Sequence, residues 1–140
     1  MSIYAVLKEK DPLHKRIFKT TITEIKTGNT TGKTLADELE FKDGKVFSQF
    51  LNDKFSIGWM KYVMNKDTVF IDSLTEAEVH YFQVTASFKD EDKQETKLIC
   101  KIENEMIEGE IKISKNDKLK KQFEFSGTEK ATRMKDKNKK

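Results

Sequence analysis

"ELEFKDGKVFSQF", Glu38 to Phe50, reads as two β-strands folded back on each other. Apolar and charged residues alternate through ELEFK, which is the pattern of a strand with one face in a core and the other in water. Asp43-Gly44 follows as a strong hairpin signal, because both central positions of the matching two-residue turn require a positive φ. The stretch therefore predicts an antiparallel hairpin, and the fold depends on how far this pattern extends.

The same rhythm of short alternating runs and turn residues recurs through most of the chain. Turn residues stand at 26–33, 43–44, 52–53, 65–67, 89–95, 104–105 and 116–117. A sheet of such strands has two unpaired edges and a long apolar face, and closing the sheet on itself removes both liabilities. We therefore predict an all-β fold, an antiparallel up-and-down β-barrel of eight to nine strands, with a two-sheet sandwich as the second choice.

One stretch fits two local structures. Ser73 and Glu76 match a helix capping box, and the apolar residues that follow them would share a helical face. Against this, VHYFQVTASF (79–88) is rich in β-branched and aromatic residues, with apolar side chains at every second position. We expect a turn over 75–78 and a strand after it.

The predicted inner face is rich in large aromatic side chains. Gly58, Gly109 and Gly127 fall inside strand runs, where they suit the sharp bends of a small barrel. An eight-stranded barrel has an interior that is either filled by side chains or able to hold one small ligand. The residues expected to point inward are Phe18, Ile22, Leu39, Phe41, Phe47, Trp59, Phe82, Val84, Phe88, Ile111, Phe123 and Phe125.

Charge is distributed unevenly between the body of the chain and its end. The net charge is +3, but residues 130–140 hold six Lys/Arg and one Asp, so residues 1–129 are slightly acidic. A nucleic-acid-binding protein would carry its basic charge on a folded face. We expect a single domain over 1–129, a flexible basic tail over 130–140 and no nucleic-acid partner, with weak attraction of the tail to RNA or anionic lipid as the alternative.

The sequence shows no segment typical of a membrane protein. Its apolar runs are far shorter than the roughly 18 residues of a membrane span, and its first residues lack the features of a signal peptide. We expect a soluble, cytoplasmic protein, although a chain whose signal peptide had been removed would look the same. The single cysteine, Cys100, cannot form an internal disulfide and is expected to be a small buried hydrophobe.

Four stretches resemble the signatures of a known family. They are DELEFKDGKVFSQ (Asp37–Gln49), FSIGWMKY (Phe55–Tyr62), MIEGEI (Met106–Ile111) and FEFSGT (Phe123–Thr128). In this order they are similar to small uncharacterised bacterial proteins with a lipocalin-like, calycin-type β-barrel. The resemblance implies the fold and carries over no catalytic or binding residue. The chain departs from the family where LICKI replaces a strand that often contains Trp, and where residues 68–81 form a longer stretch.

Residues with catalytic or metal-binding potential are few and scattered. His14 and His80 begin no metal-ligand spacing, and no serine has the context of a nucleophile elbow. His80 is expected on the outer face. TGNTTGKT lacks the spacing of a phosphate loop, and the pairs Glu38/Glu40 and Glu108/Glu110 are expected to be outward charges. We therefore predict no enzyme activity, no catalytic residue, no metal and no cofactor.

The remaining functional hypothesis is a binding barrel. We expect a non-enzymatic lipocalin-like barrel that binds a small apolar ligand, with Trp59, Phe47, Tyr62, Phe82 and Phe123 as ligand-binding residues. Trp is suited to such a site because its ring is apolar while its N–H can find a partner near the opening. The alternative is a packed barrel that acts as a protein-interaction or structural module, as a monomer or a dimer.

Overall fold

The polypeptide forms eight β-strands and one short α-helix. The computed structural model describes residues 12–26 and 30–130. In chain order the elements are β1 (Arg16–Lys26), β2 (Thr30–Lys42), β3 (Lys45–Ser48), α1 (Gln49–Phe55), β4 (Met60–Ile71), β5 (Glu78–Lys89), β6 (Gln94–Glu103), β7 (Met106–Lys115) and β8 (Lys118–Glu129).

Each strand pairs antiparallel with the next one along the chain, and β8 pairs with β1 to close the sheet into a ring. The predicted all-β fold with eight consecutive antiparallel strands is confirmed. The narrowest contact in the ring joins β3 to β4 through only two residue pairs, Lys45 with Lys61 and Val46 with Met60. The ring is narrow there because β3 ends after four residues, where the chain enters α1.

Tight turns with positive φ connect most of the strands. Asp43 and Gly44 have φ of 51° and 77°, and Asn116 and Asp117 have φ of 53° and 65°, as the predicted hairpins require. The predicted loop over 26–33 is shorter, because β2 begins at Thr30 and includes Gly32. Gly28 lies outside the described residues.

The second strand of the predicted hairpin is shorter than expected, because the chain turns into α1 after Ser48 instead of continuing to a turn at 52–53. Ser48 caps the helix: its Oγ accepts a hydrogen bond from Leu51 N at 3.1 Å. The carboxylate of Asp37 accepts a second bond from Phe50 N at 2.8 Å. These two acceptors satisfy backbone donors that the first turn of a helix leaves free. The predicted turn at 52–53 therefore lies inside the helix.

The interior of the ring is a continuous apolar core. It includes Phe18, Ile22, Leu39, Phe41, Phe82, Val84, Leu98, Ile102, Ile111, Phe123 and Phe125, all buried. Cys100 belongs to this core as predicted, and burial raises the pKa of its thiol to about 12. The thiol therefore stays protonated at neutral pH.

Three of the predicted inward residues do not enter the core. Phe47 stands between buried Val46 and Ser48, so it lies on the outer face, where its ring is 5.2 Å from that of Trp59. The side chain of Trp59 is 42% exposed. The prediction for β3 assumed that Phe47, as an aromatic residue, would lie on the inner face. Ser48 lies there instead, and its burial is possible because its hydroxyl donates a hydrogen bond to Asp37.

Phe88 also differs from its prediction. It follows the inward parity of Ala86 on β5, but it lies near the end of the strand and remains exposed. Residues at the two rims of a ring can keep the inward direction without being covered by neighbours.

Two glycines lie where neighbouring strands approach each other closely. A Cβ at Gly109 would lie 2.8 Å from the Cα of Cys100, and a Cβ at Gly127 would lie 2.6 Å from the Cα of Thr20. Only a residue without a side chain fits such a close approach of neighbouring strands. Gly58 does not serve this role, because it lies between α1 and β4 with open space around its Cα.

The hairpin of β4 and β5 extends beyond the ring. Residues 65–67, predicted as a turn, are part of β4, which shows only a register shift between Met64 and Lys66. The hairpin turns after Asp72, which accepts hydrogen bonds from Thr75 Oγ1 at 2.7 Å and Glu76 N at 2.7 Å. Because β5 begins at Glu78, the preferred prediction of a turn followed by a strand is confirmed for this stretch.

The described residues begin and end at the same rim of the ring. Leu13 is fully buried there. Lys130, the last described residue, donates from its backbone N to Ile17 O at 2.8 Å. The rest of the predicted basic tail lies outside the described residues. Within residues 12–26 and 30–130, no helix is long and apolar enough to cross a membrane.

Candidate functional site

The two rims of the ring differ in what covers them. We call the rim that carries α1 the helix end, where β1 finishes and β2 and β8 begin. We call the opposite rim the hairpin end, since it carries the β2–β3 and β6–β7 turns and the protruding β4–β5 hairpin. A cavity lined partly by core residues lies at each rim, and the two cavities differ in chemistry.

The cavity at the helix end has a volume of about 470 Å³. This volume falls within the range of about 300–1,000 Å³ that is typical of small-molecule pockets. Its lining comes from β1, β2, α1 and β8 and consists of Ile22, Glu24, Lys26, Lys33, Leu35, Phe50, Lys54, Phe55, Lys121 and Phe123. We refer to it as the helix-end cavity.

Three aromatic rings form the floor of the helix-end cavity. The ring of Phe123 lies 5.1 Å from that of Phe50 and 6.2 Å from that of Phe55, and the latter two are 5.9 Å apart. The rings are steeply inclined to one another, which is a favoured arrangement for aromatic pairs. Ile22 and Leu35 extend the apolar surface, and Leu35 remains 40% exposed.

Charged side chains surround this apolar floor. Lys26, Lys33, Lys54 and Lys121 line the cavity together with a single acid, Glu24. The Nζ of Lys121 lies 3.5 Å from the Oε2 of Glu24. These charged residues face the cavity because residues two apart on a strand lie on the same face of the sheet. Glu24 therefore follows buried Ile22 on β1, and Lys121 precedes buried Phe123 on β8, both on the inner face.

A buried carboxylate holds α1 against the cavity. Asp37 on β2 is only 8% exposed. It accepts hydrogen bonds from Glu38 N at 2.7 Å, Phe50 N at 2.8 Å and Ser48 Oγ at 2.8 Å. Burial raises the pKa of Asp37 from its ordinary value, and the hydrogen bonds only partly offset this rise. The network positions the first turn of α1 and hence Phe50.

The hairpin end is filled by side chains. The rings of Phe18 and Phe41 are 5.8 Å apart, and Tyr62 packs edge-on against Phe41 at 5.4 Å. Arg16 covers this end with a forked pair to Glu129, with Nε–Oε2 at 3.0 Å and Nη2–Oε1 at 2.9 Å. A polar depression of about 550 Å³ lies over the filled interior.

His80 belongs to the depression at the hairpin end. Its Nε2 lies 2.8 Å from Asp67 Oδ1, and its ring lies 4.2 Å from that of Phe82. The prediction that His80 faces outward is wrong, since residues two apart on a strand project to the same side and Phe82 points inward. The depression is lined by Arg16, Glu78, His80, Phe82, Asn104 and Glu105, none of which carries a hydroxyl or a thiol.

A third cavity, of about 620 Å³, lies on the outer surface of the sheet. It is lined largely by outward side chains of β1, β6, β7 and β8, among them Thr21, Thr23, Glu108, Glu110 and Glu124. Glu108 and Glu110 are thus outer-face charges, as predicted. Ile25, Ile99 and Phe125 add apolar surface to this groove, but Phe125 is its single aromatic residue, whereas three aromatic rings converge in the helix-end cavity. In the part of the chain that the structure describes, no group of three or more His, Cys, Asp or Glu side chains could hold a metal ion.

The five predicted ligand-binding residues do not converge on one site. Phe123 lines the helix-end cavity. Tyr62 packs against the core and Phe82 lies in it, at the hairpin end. Phe47 and Trp59 contact each other on the outer face. Their role in ligand binding stays a prediction.

Sequence reasoning missed the lysines and the α1 residues of the helix-end cavity. The lysines could have been found by continuing the inward parity of β1 and β8 beyond the last apolar residue, to Lys26 and Lys121. The α1 residues carried a weaker signal. Ser48 stands three residues before Leu51, and Leu51 and Phe55 have the i, i+4 spacing of a helical face.

The chain matches no protein-family model, no curated protein and no solved structure. The functional interpretation therefore rests on the geometry and chemistry of its own residues.

Proposed function

We propose that this protein is a non-enzymatic, lipocalin-like binding barrel that holds a small, largely apolar molecule in the helix-end cavity. The observation that carries the proposal is the half-open aromatic floor of Phe50, Phe55 and Phe123 at one end of a closed antiparallel sheet. Burying apolar area there is favourable by about 25 cal/mol per Å². The likeness to the lipocalin-like family and a cytoplasmic location are part of the proposal.

The contrast between the two ends supports this choice of site. At the hairpin end, Leu13, Phe18 and Phe41 are fully buried and leave the interior occupied. At the helix end, α1 covers only part of the opening, so Phe55 stays half-buried and Leu35 stays exposed. Apolar side chains that converge on an unfilled space are the usual feature of a small-molecule pocket.

A paired aromatic deletion tests the proposal. We expect uncharged decanol to shift the amide NMR signals of Leu35, Phe50 and Phe123, and Phe55→Ala to weaken its binding about tenfold. Phe47→Ala is the matched control, because Phe47 is also half-buried but lies on the outer face beside Trp59. Equal binding by both variants, or shifts confined to other residues, would contradict this site.

An alternative function has an observation of its own. The protruding β4–β5 hairpin exposes Val69, Phe70, Ile71 and Leu74, the last at 90%. Among the described strands, only β5 pairs with β4 beyond Lys61, so the other edge of β4 is open there. Such an edge favours pairing with another chain, which is the basis for an interaction or structural module.

Light scattering after size exclusion separates this alternative from the first proposal. Self-association through the hairpin predicts a mass that rises with concentration in the intact protein and returns to the monomer value in Phe70→Lys. A monomer at all concentrations would count against self-association.

A further inference from the structure

We propose that the ligands of the helix-end cavity are amphiphiles with an anionic head group. The head group lies among Lys26, Lys33, Lys54 and Lys121, and the hydrocarbon part lies on the aromatic floor. This inference rests on the proposed function, since it concerns the same cavity, and it adds the charge and polarity of the molecule bound there.

The first argument is the local charge. The cavity lining holds four lysines and one glutamate, although residues 1–129 as a whole carry slightly more acidic than basic side chains. The excess of lysine at this rim is therefore local and does not reflect a basic surface over the whole domain. In the part of the chain that the structure describes, Lys121 pairs with Glu24, while no carboxylate pairs with Lys26, Lys33 or Lys54.

The second argument is the order of polarity along the strands. On β1 the inward positions change from Ile22 to Glu24 to Lys26, and on β8 they change from Phe123 to Lys121. Two residues of a strand span about 7 Å, so the apolar floor and the charged rim are separated by only a few bonds of a hydrocarbon chain. A molecule that fits both surfaces is apolar at one end and anionic at the other.

The third argument concerns the head group. Lysine ammonium groups act as mobile point charges, whereas arginine offers a planar fork that selects its partner's geometry. Four lysines without an arginine therefore favour a negative charge without fixing its shape. Carboxylate and sulfate head groups on the same alkyl chain should both bind.

The test compares four decyl compounds by amide NMR titration, the three ionic ones below their critical micelle concentrations and decanol below its solubility limit. The compounds are decanoate, decyl sulfate, decanol and decyltrimethylammonium. We expect both anions to bind about tenfold more tightly than decanol, and the cation to bind more weakly than decanol. Raising the salt concentration from about 0.02 M to about 0.5 M should weaken the binding of the two anions and leave the binding of decanol unchanged.

Three variants assign the effect to the rim. K33Q/K121Q should weaken the binding of decanoate about tenfold and change the binding of decanol little. The double variant removes two lysines from the rim and leaves Glu24 without its partner. Glu24→Gln should strengthen the binding of decanoate about twofold to threefold, and a damaged fold would not produce such a gain in affinity. K61Q/K97Q is the matched control, because both lysines are exposed on the outer face, and it should leave decanoate unchanged.

The possible results separate this inference from the proposed function. If decanol binds the cavity as tightly as the anions, and the rim variants change neither, the head-group inference is overturned while the apolar site stands. If none of the four compounds shifts Leu35, Phe50 or Phe123, the proposed function fails and the inference fails with it.

Discussion

The two ends of the ring are built from the same eight strands, yet one is filled and the other is partly open. At the hairpin end, Leu13 lies in the turn that precedes β1 and is fully buried against the core. At the helix end β3 stops after four residues, and a seven-residue helix covers part of the opening. A repeated strand pattern thus builds the wall, while the connecting segments determine whether the interior is accessible.

The sharpest test of this comparison removes one phenyl ring at each end. Phe18→Ala should lower the free energy of unfolding by about 4 kcal/mol, because the ring is fully buried among other side chains and a cavity remains. Phe55→Ala should cost only about 1 kcal/mol, because its ring is half-buried over a space that is already open. Urea denaturation of both variants measures the difference. Equal decreases in the free energy of unfolding would contradict the view that the hairpin end is filled and the helix end is open.

A second test addresses the closure of the ring that both ends share. Gly127→Ala should cost about 3 kcal/mol, because the added Cβ would overlap the backbone of Lys19 and Thr20 on β1 and force β8 away from it. Gly58→Ala adds the same methyl group where nothing lies within 4 Å, so it should leave stability within about 0.5 kcal/mol of the parent. A thermal or urea midpoint that falls equally in both variants would show that closure at Gly127 is not tight.

The smallest expected effect is a pH dependence at the helix end. Burial raises the pKa of Asp37 above 3.8, so the folded protein holds this proton more tightly than the unfolded chain. The contribution of Asp37 to the free energy of unfolding therefore decreases as the pH rises from 3.8 through the raised pKa.

Asp37→Asn provides the reference for this measurement, since an amide at position 37 does not titrate. The stability of the parent relative to Asp37→Asn should fall across that pH range and then level off. A relative stability that rises with pH would mean that the hydrogen bonds from Phe50 N and Ser48 Oγ outweigh the burial of the carboxylate.

Local patterns predicted most of the strands and several of their turns, although residues 52–53 lie in α1 and residues 65–67 in β4. Asp43-Gly44 and Asn116-Asp117 adopt the positive φ that their residue types indicate, and the alternating inward residues of β6 and β7 are buried. These features depend on neighbours in the chain: a turn needs two residues with the right φ, and a strand places every second residue on one side.

The candidate site was less accessible to the same reasoning. Of the five residues expected to bind the ligand, only Phe123 lines the helix-end cavity. Phe47 lies on the outer face because β3 turns its Ser48 inward, and Trp59 contacts Phe47 there. The burial of Ser48 depends on Asp37, eleven residues earlier on β2, which accepts a hydrogen bond from the Ser48 hydroxyl. A preference for aromatic over polar residues in a core cannot anticipate a partner from another strand.

The succession of strands, the tight turns at 43–44 and 116–117 and the alternation of apolar residues follow from the amino-acid sequence alone, because they depend on neighbours in the chain. The location of the open cavity depended on the tertiary structure. It arises where Lys26, Lys121 and α1, distant in the chain, meet at one rim. The pairing of β8 with β1 brings Lys121 close to Lys26, and the pairing of β3 with β2 places α1 at the same rim. The sequence predicted a closed sheet, but the side chains that meet at its rim depend on contacts between distant strands.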